Sequence, residues 1–95
     1  MNLREPLKQC DLFFDWARKY PLLWQKVETC LFCIDFLADV ASVSAYMQLR
    51  DSFHMLFIYA NEGDFPHSAA LFYERYEYCS SLLLPSFLDS WKGGV

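Results

Sequence analysis

Two cysteines at a spacing used by metal and redox sites, Cys30 and Cys33, are the first candidates for chemistry in this chain. A zinc site needs four ligands, usually two such pairs or one pair with spaced histidines. A redox motif would open a helix after a strand, and no segment shows the alternation of a strand. The other possible ligands are scattered: Cys10, His54, His67 and Cys79. We therefore predict no metal and no cofactor, with reduced and buried thiols, because free cysteine is among the most buried residue types.

The histidines do not suggest a nucleophilic site. Neither His54 nor His67 has a carboxylate and a nucleophile at a spacing typical of a triad. The glycines are confined to positions 63, 93 and 94, so no loop could cradle a phosphate group. We predict no catalytic residue and a protein that is not an enzyme.

An acidic seam, defined as Glu28, Asp35 and Asp39, is the first candidate binding feature. Residues four and seven apart share a helix face, so these three carboxylates should line up. One interpretation is the solvated edge of a helix, and the other is a contact surface for a basic patch on a partner protein. A catalytic carboxylate pair has little support, since no histidine or metal ligand lies nearby in the sequence.

The second candidate feature is the tyrosine-rich segment 72–78. Its helical spacing places Tyr73, Glu77 and Tyr78 away from the predicted core face. Tyrosines beside carboxylates suit protein interfaces, where the ring supplies area and the hydroxyl finds a partner, although ordinary surface explains them too. The predicted partner-binding set is thus Glu28, Asp35, Asp39, Tyr73, Glu77 and Tyr78.

The elements that must position these side chains are predicted to be helices. We expect residues 1–95 to form a single all-α domain, a small antiparallel bundle of about four helices. The first predicted helix spans about residues 4–20, and the second starts at residue 21 and runs to a break between residues 42 and 50. The third runs from that break to residue 60, and the fourth spans residues 65–84. Pro85 is predicted to end the fourth helix, and residues 92–95 are predicted to be frayed. Helix 2 includes the stretch 30–46, apolar nearly all round, and is predicted to be the central helix. Gly63 is predicted to take a left-handed cap conformation.

Composition and charge narrow the classes of function. Of the 95 residues, 19% are aromatic, more than so small a core should bury, so some rings should face a partner. Residues 27–74 contain seven acidic residues and one basic residue, within a chain of net charge −4. Direct binding of nucleic acid is disfavoured because phosphate contacts need clustered cations. Asp35 and Asp39, one turn apart, disfavour a membrane span in this segment. The charged amino terminus has no apolar core of a signal peptide, which predicts a cytoplasmic protein.

These observations favour a non-catalytic protein-binding domain. We expect a small acidic inhibitor that masks a basic surface of a partner protein, by analogy of size and charge with toxin-immunity and phage anti-defence proteins. The alternative is a helical homo-oligomer or adaptor that uses its surplus aromatic surface for self-association.

Overall fold

This computed structural model describes the backbone of residues 2–93 and the side chains to residue 84, and most of that backbone is helical. A 3-10 helix is followed by four α-helices, and no strand occurs in that range: 3-10 helix Glu5–Gln9, α1 Asp11–Arg18, α2 Pro21–Leu37, α3 Val43–Glu62 and α4 Pro66–Gly93. The predicted all-α bundle of about four helices is confirmed.

The packing is built around α3. It lies along α4, to which it is joined by only three residues, so the two helices run antiparallel. On its other side α3 packs against α2, which in turn contacts α1, while the 3-10 helix contacts α4. Phe13, Phe53 and Phe72 are completely buried where these elements meet. Three rings from three different helices therefore occupy the centre of the core.

The helix predicted to be central, α2, lies between α1 and α3 but is less enclosed than α3. Seven residues of α3 are buried, whereas α2 buries only Val27, Cys30 and Ile34. The outer side of α2 faces solvent, with Phe32 58% and Phe36 79% exposed. An apolar sequence all round a helix does not determine how many other helices pack against it. Here α1 and α3 pack against α2 and cover only part of its circumference.

The apolar stretch 30–46 is two helices and a turn. α2 ends at Leu37, five residues before the predicted break, and α3 begins at Val43. The Ser42 side chain accepts a hydrogen bond from the backbone N–H of Ala45 at 3.1 Å, which satisfies one of the unpaired donors of the first turn. Ser42 is therefore the N-cap of α3 and defines where the helix starts.

The predicted first helix is also divided. The 3-10 helix and α1 meet at Cys10, whose backbone leaves the helical region with φ −117° and ψ 27°. The Cys10 thiol donates to the carbonyl oxygen of Pro6 at 3.2 Å in a buried position. Pro6 of the 3-10 helix and Leu3 just before it lie in the core. Sequence periodicity did not resolve this short change of helix type.

The turn between α3 and α4 corrects another prediction. Asp64, not Gly63, takes the left-handed conformation with φ 60°, while Gly63 has φ −86°. Gly63 leaves room for its neighbours: a Cβ there would lie 2.8 Å from ring carbons of Trp16 and Phe65, so these rings would have to shift. The glycine lets two aromatic rings close over the turn.

The C-terminal helix continues beyond its predicted end. Its backbone remains helical through Pro85 to Gly93. A proline inside a helix removes one hydrogen bond and adds a local clash, but the following residues keep their own bonds. The predicted fraying of residues 92–95 stays a prediction, since residues 94 and 95 lie outside the described range. Among the described residues, none of the helices combines the length and hydrophobicity needed to cross a bilayer.

Candidate protein-binding surface

Arg4 forms ion pairs with two of the three carboxylates of the acidic seam, Asp35 and Asp39. Its Nε lies 3.2 Å from Asp35 Oδ1, and a terminal guanidinium nitrogen lies 3.0 Å from Asp39 Oδ2. The other terminal nitrogen donates to the backbone carbonyl oxygen of Asp35 at 2.6 Å. The arginine therefore ties the start of the chain to the end of α2 and fixes both carboxylates. Hydrogen bonding to Asp39, and then to Asp35, raises the pKa of the Arg4 guanidinium, so it stays charged.

The two carboxylates remain open to a partner despite this contact. The Asp35 side chain is 75% exposed and that of Asp39 is 83% exposed. In each, one oxygen accepts from Arg4, so the other faces water or an incoming donor. Glu28 lies two turns before Asp35 on α2 and is half-buried. The predicted alignment of Glu28 with Asp35 follows from the helix, whereas Asp39 sits in the turn after it.

A small surface hollow brings Asp39 close to one of the predicted tyrosines. Asp39 and Tyr78 both line this hollow of about 150 Å³, together with Leu3, Ala38 and Leu82. Tyr78 is half-buried against the core. The structure thus unites part of the acidic seam with Tyr78, across the junction of α2, α4 and the start of the chain.

Tyr73 belongs to a separate aromatic surface. Its ring centroid lies 5.1 Å from that of Phe57 and 5.7 Å from that of Tyr76. His54 extends the group, 5.2 Å from Tyr76. Tyr73 and His54 are exposed, and Glu77 is exposed on α4. This group joins α3 to α4, so stacking within the molecule accounts for much of the ring surface of Tyr73.

The sequence reasoning missed the exposed apolar face of α2. Phe32 and Phe36 lie one turn apart and point away from the core, and Leu22 near the start of the helix is also exposed. Because helix 2 was predicted to be apolar nearly all round and central, the sequence reasoning gave these residues no exposed face. Their helical spacing carried the missing signal, because they lie opposite Val27 and Ile34 on the helical projection.

An open groove borders this face at the start of α2. Its volume is about 560 Å³, and its lining includes Trp16, Tyr20, Leu22, Lys26 and Glu62. The rings of Trp16 and Tyr20 are 5.5 Å apart. The groove combines aromatic walls, which are enriched at protein contact surfaces, with one cation and one carboxylate.

The cysteines show no sign of a reactive site. Burial raises the pKa of the Cys30 and Cys79 thiols to about 11, which keeps them protonated and poorly nucleophilic at neutral pH. All four cysteines are free, and Cys33, only partly buried, donates to the carbonyl oxygen of Gln48 at 3.6 Å. Within the described residues no group of three potential ligands could hold a metal ion.

The fold and this surface define an all-α bundle with one helix face left open, apolar along its centre and acidic at one end. Comparisons with protein-family models, with curated proteins and with solved structures each find no match. The inference of function therefore depends on the geometry of the chain itself.

Proposed function

We propose that this protein is a non-catalytic protein-binding domain, a small acidic inhibitor that covers a basic surface of a partner. The observation that carries the proposal is the pairing of fixed, exposed carboxylates with an exposed ring. Asp35 and Asp39 are held by Arg4 directly beside the solvent-facing side of α2 that bears Phe36. Of the seven lysine and arginine side chains within residues 2–84, five already pair with carboxylates of the chain, Arg18 and Arg50 among them.

Pre-orientation makes these carboxylates effective ligands for a cationic partner. An unrestrained aspartate loses side-chain freedom on binding, and that loss weakens the complex. Arg4 already restricts both side chains, because it donates one hydrogen bond to a carboxylate oxygen of each aspartate, and it also binds the backbone carbonyl of Asp35. Charge complementarity of this kind speeds encounter and sets the orientation of the complex.

Self-association is the second candidate, supported by the amount of apolar surface that remains open. Leu12, Leu22 and Phe36 are each more than three-quarters exposed, at 77%, 76% and 79%. Light scattering at micromolar concentration separates the two candidates, because a strict monomer disfavours a homo-oligomer.

Capture of the partner from cells of the source organism tests the proposal. The chain is used as bait in parallel with two variants that each remove two aspartates. In Asp35→Asn/Asp39→Asn the binding carboxylates are lost, whereas Asp11→Asn/Asp64→Asn changes the net charge equally at a different hollow. We expect the first variant to lose the protein that the unmodified chain captures, and the control to retain it. Equal capture by both variants would contradict the proposal.

A further inference from the structure

The outer face of α2 has the spacing of a helix-packing seam. Its exposed positions follow one another at intervals of three, four, three and four residues: Leu22, Gln25, Thr29, Phe32 and Phe36. We call these five residues the outer stripe. Alternation of three and four is the pattern by which one helix receives the side chains of another. The outer stripe extends over about 21 Å, or four turns of helix.

A partner helix can cover the outer stripe without leaving the Thr29 hydroxyl group unpaired. The Thr29 hydroxyl already donates to the backbone carbonyl oxygen of Gln25 at 2.9 Å. Burying that hydroxyl therefore costs no hydrogen bond. The stripe also runs into the open groove, since Leu22 lines both surfaces. A bound element would thus meet apolar contacts at Phe32 and Phe36 and again at the groove.

The flanks of the outer stripe differ in charge. Glu28 and Asp35 lie along one flank, and Asp39 follows just beyond the helix end. The other flank carries Lys26 and Cys33. In paired helices, residues at such flanking positions select the partner and its orientation through charge.

We propose that the outer stripe docks an amphipathic helix of a partner protein, with basic residues along the edge that meets Glu28, Asp35 and Asp39. The inference deepens the proposed function and depends on it, because it names the element of the partner that the acidic surface recognises. Apolar side chains of that helix pack between the two phenylalanine rings and against Leu22. Its Lys or Arg residues reach the carboxylate oxygens that Arg4 does not engage.

A second copy of the chain is a poorer occupant of the same face. Two-fold pairing of antiparallel helices brings identical flanks together, so the acidic flank of one copy would face the acidic flank of the other. Parallel pairing would place the acidic flank of one copy against the other flank of the second copy. Among the flank residues described here, Lys26 near the start of α2 is the one cation that could then meet the carboxylates. Charge therefore selects a foreign basic helix.

The test uses the full chain and a synthetic helical probe. The probe is a fluorescent peptide of about three heptads with leucine at the two seam positions and lysine at both flanking positions. A second peptide carries glutamate in place of every lysine. Binding is measured by fluorescence anisotropy, and the contacted residues are located by backbone amide chemical shifts. The variants are Phe32→Ala/Phe36→Ala and, as a control, Leu12→Ala, which removes from α1 an apolar side chain about as exposed as Phe36.

We expect the lysine peptide to bind, to shift amides along α2, and to bind at least about tenfold more tightly than the glutamate peptide. Phe32→Ala/Phe36→Ala should weaken binding by about tenfold or more, because aromatic anchors dominate such interfaces, while Leu12→Ala should not. Failure of the lysine peptide to bind, or equal binding by the phenylalanine variant, overturns the inference. Partner capture that needs Asp35 and Asp39 but survives loss of both rings also overturns it, and leaves the proposed function standing.

Discussion

The buried thiols should make the stability of the protein fall steeply in alkaline solution. Burial raises the pKa of Cys30 and of Cys79 from 9.0 to about 11. Below pH 9 both thiols are protonated in the folded and unfolded chain. Between pH 9 and 11 the unfolded thiols ionise while the folded ones keep their protons, so the unfolded state becomes favoured. Each thiol should then remove about 1.4 kcal/mol of unfolding free energy per pH unit, or about 5 kcal/mol for both by pH 11.

Urea unfolding followed by tryptophan fluorescence at intervals from pH 8 to 11, with reductant present, measures this slope. Cys79→Ala should lose stability less steeply than the unmodified chain, by about 1.4 kcal/mol per pH unit. Val27→Ala is the control, because it removes an equally buried side chain that cannot titrate. It should lower stability at every pH without changing the slope. Parallel losses in Cys79→Ala and the unmodified chain between pH 9 and 11 would refute the reasoning.

Two further substitutions test the turns. Gly63→Ala should destabilise the fold by about 1–3 kcal/mol, because the methyl group of the alanine would crowd the rings of Trp16 and Phe65. Thermal unfolding measures this loss, and unchanged stability would show that the rings can move apart. Ser42→Ala should cost about 1 kcal/mol through loss of the α3 cap, whereas the exposed Ser44→Ala should stay within about 0.5 kcal/mol. Equal losses for the two serines in chemical denaturation would contradict the capping role.

Helices were predictable from this sequence where periodicity and local hydrogen bonding agree. α3 is the clear case, since Leu49, Phe53, Leu56 and Ala60 recur at helical spacing and all are buried. Boundaries set by tertiary contact were not predictable. The break at Cys10 belongs to a 3-10 segment that packs on α4, and the space at Gly63 depends on a ring from α1. Neither neighbour is visible from the local sequence.

The candidate surface was predictable only as a set of helix positions. Spacing aligned Glu28 with Asp35, but it could not show that Arg4, 31 residues earlier in the chain, would bridge to Asp35. Nor could composition distinguish the covered side of α2 from the open one. Tyr73 and Tyr78 illustrate the same limit: both lie on α4, yet one stacks on Phe57 while the other lines the hollow beside Asp39.

The bridge made by Arg4 changes what the acidic seam can contribute to binding. Three carboxylates would present a charge of −3, but the bound guanidinium reduces the local charge to −2. Long-range attraction is correspondingly weaker than the acidic centre of the sequence suggests. Charged groups at exposed sites mainly set encounter rate and orientation, while apolar burial supplies most of the affinity. In the proposed complex the seam therefore orients the partner and speeds its encounter, while Phe32, Phe36 and Leu22 supply apolar contact area, so capture should need both the carboxylates and the rings.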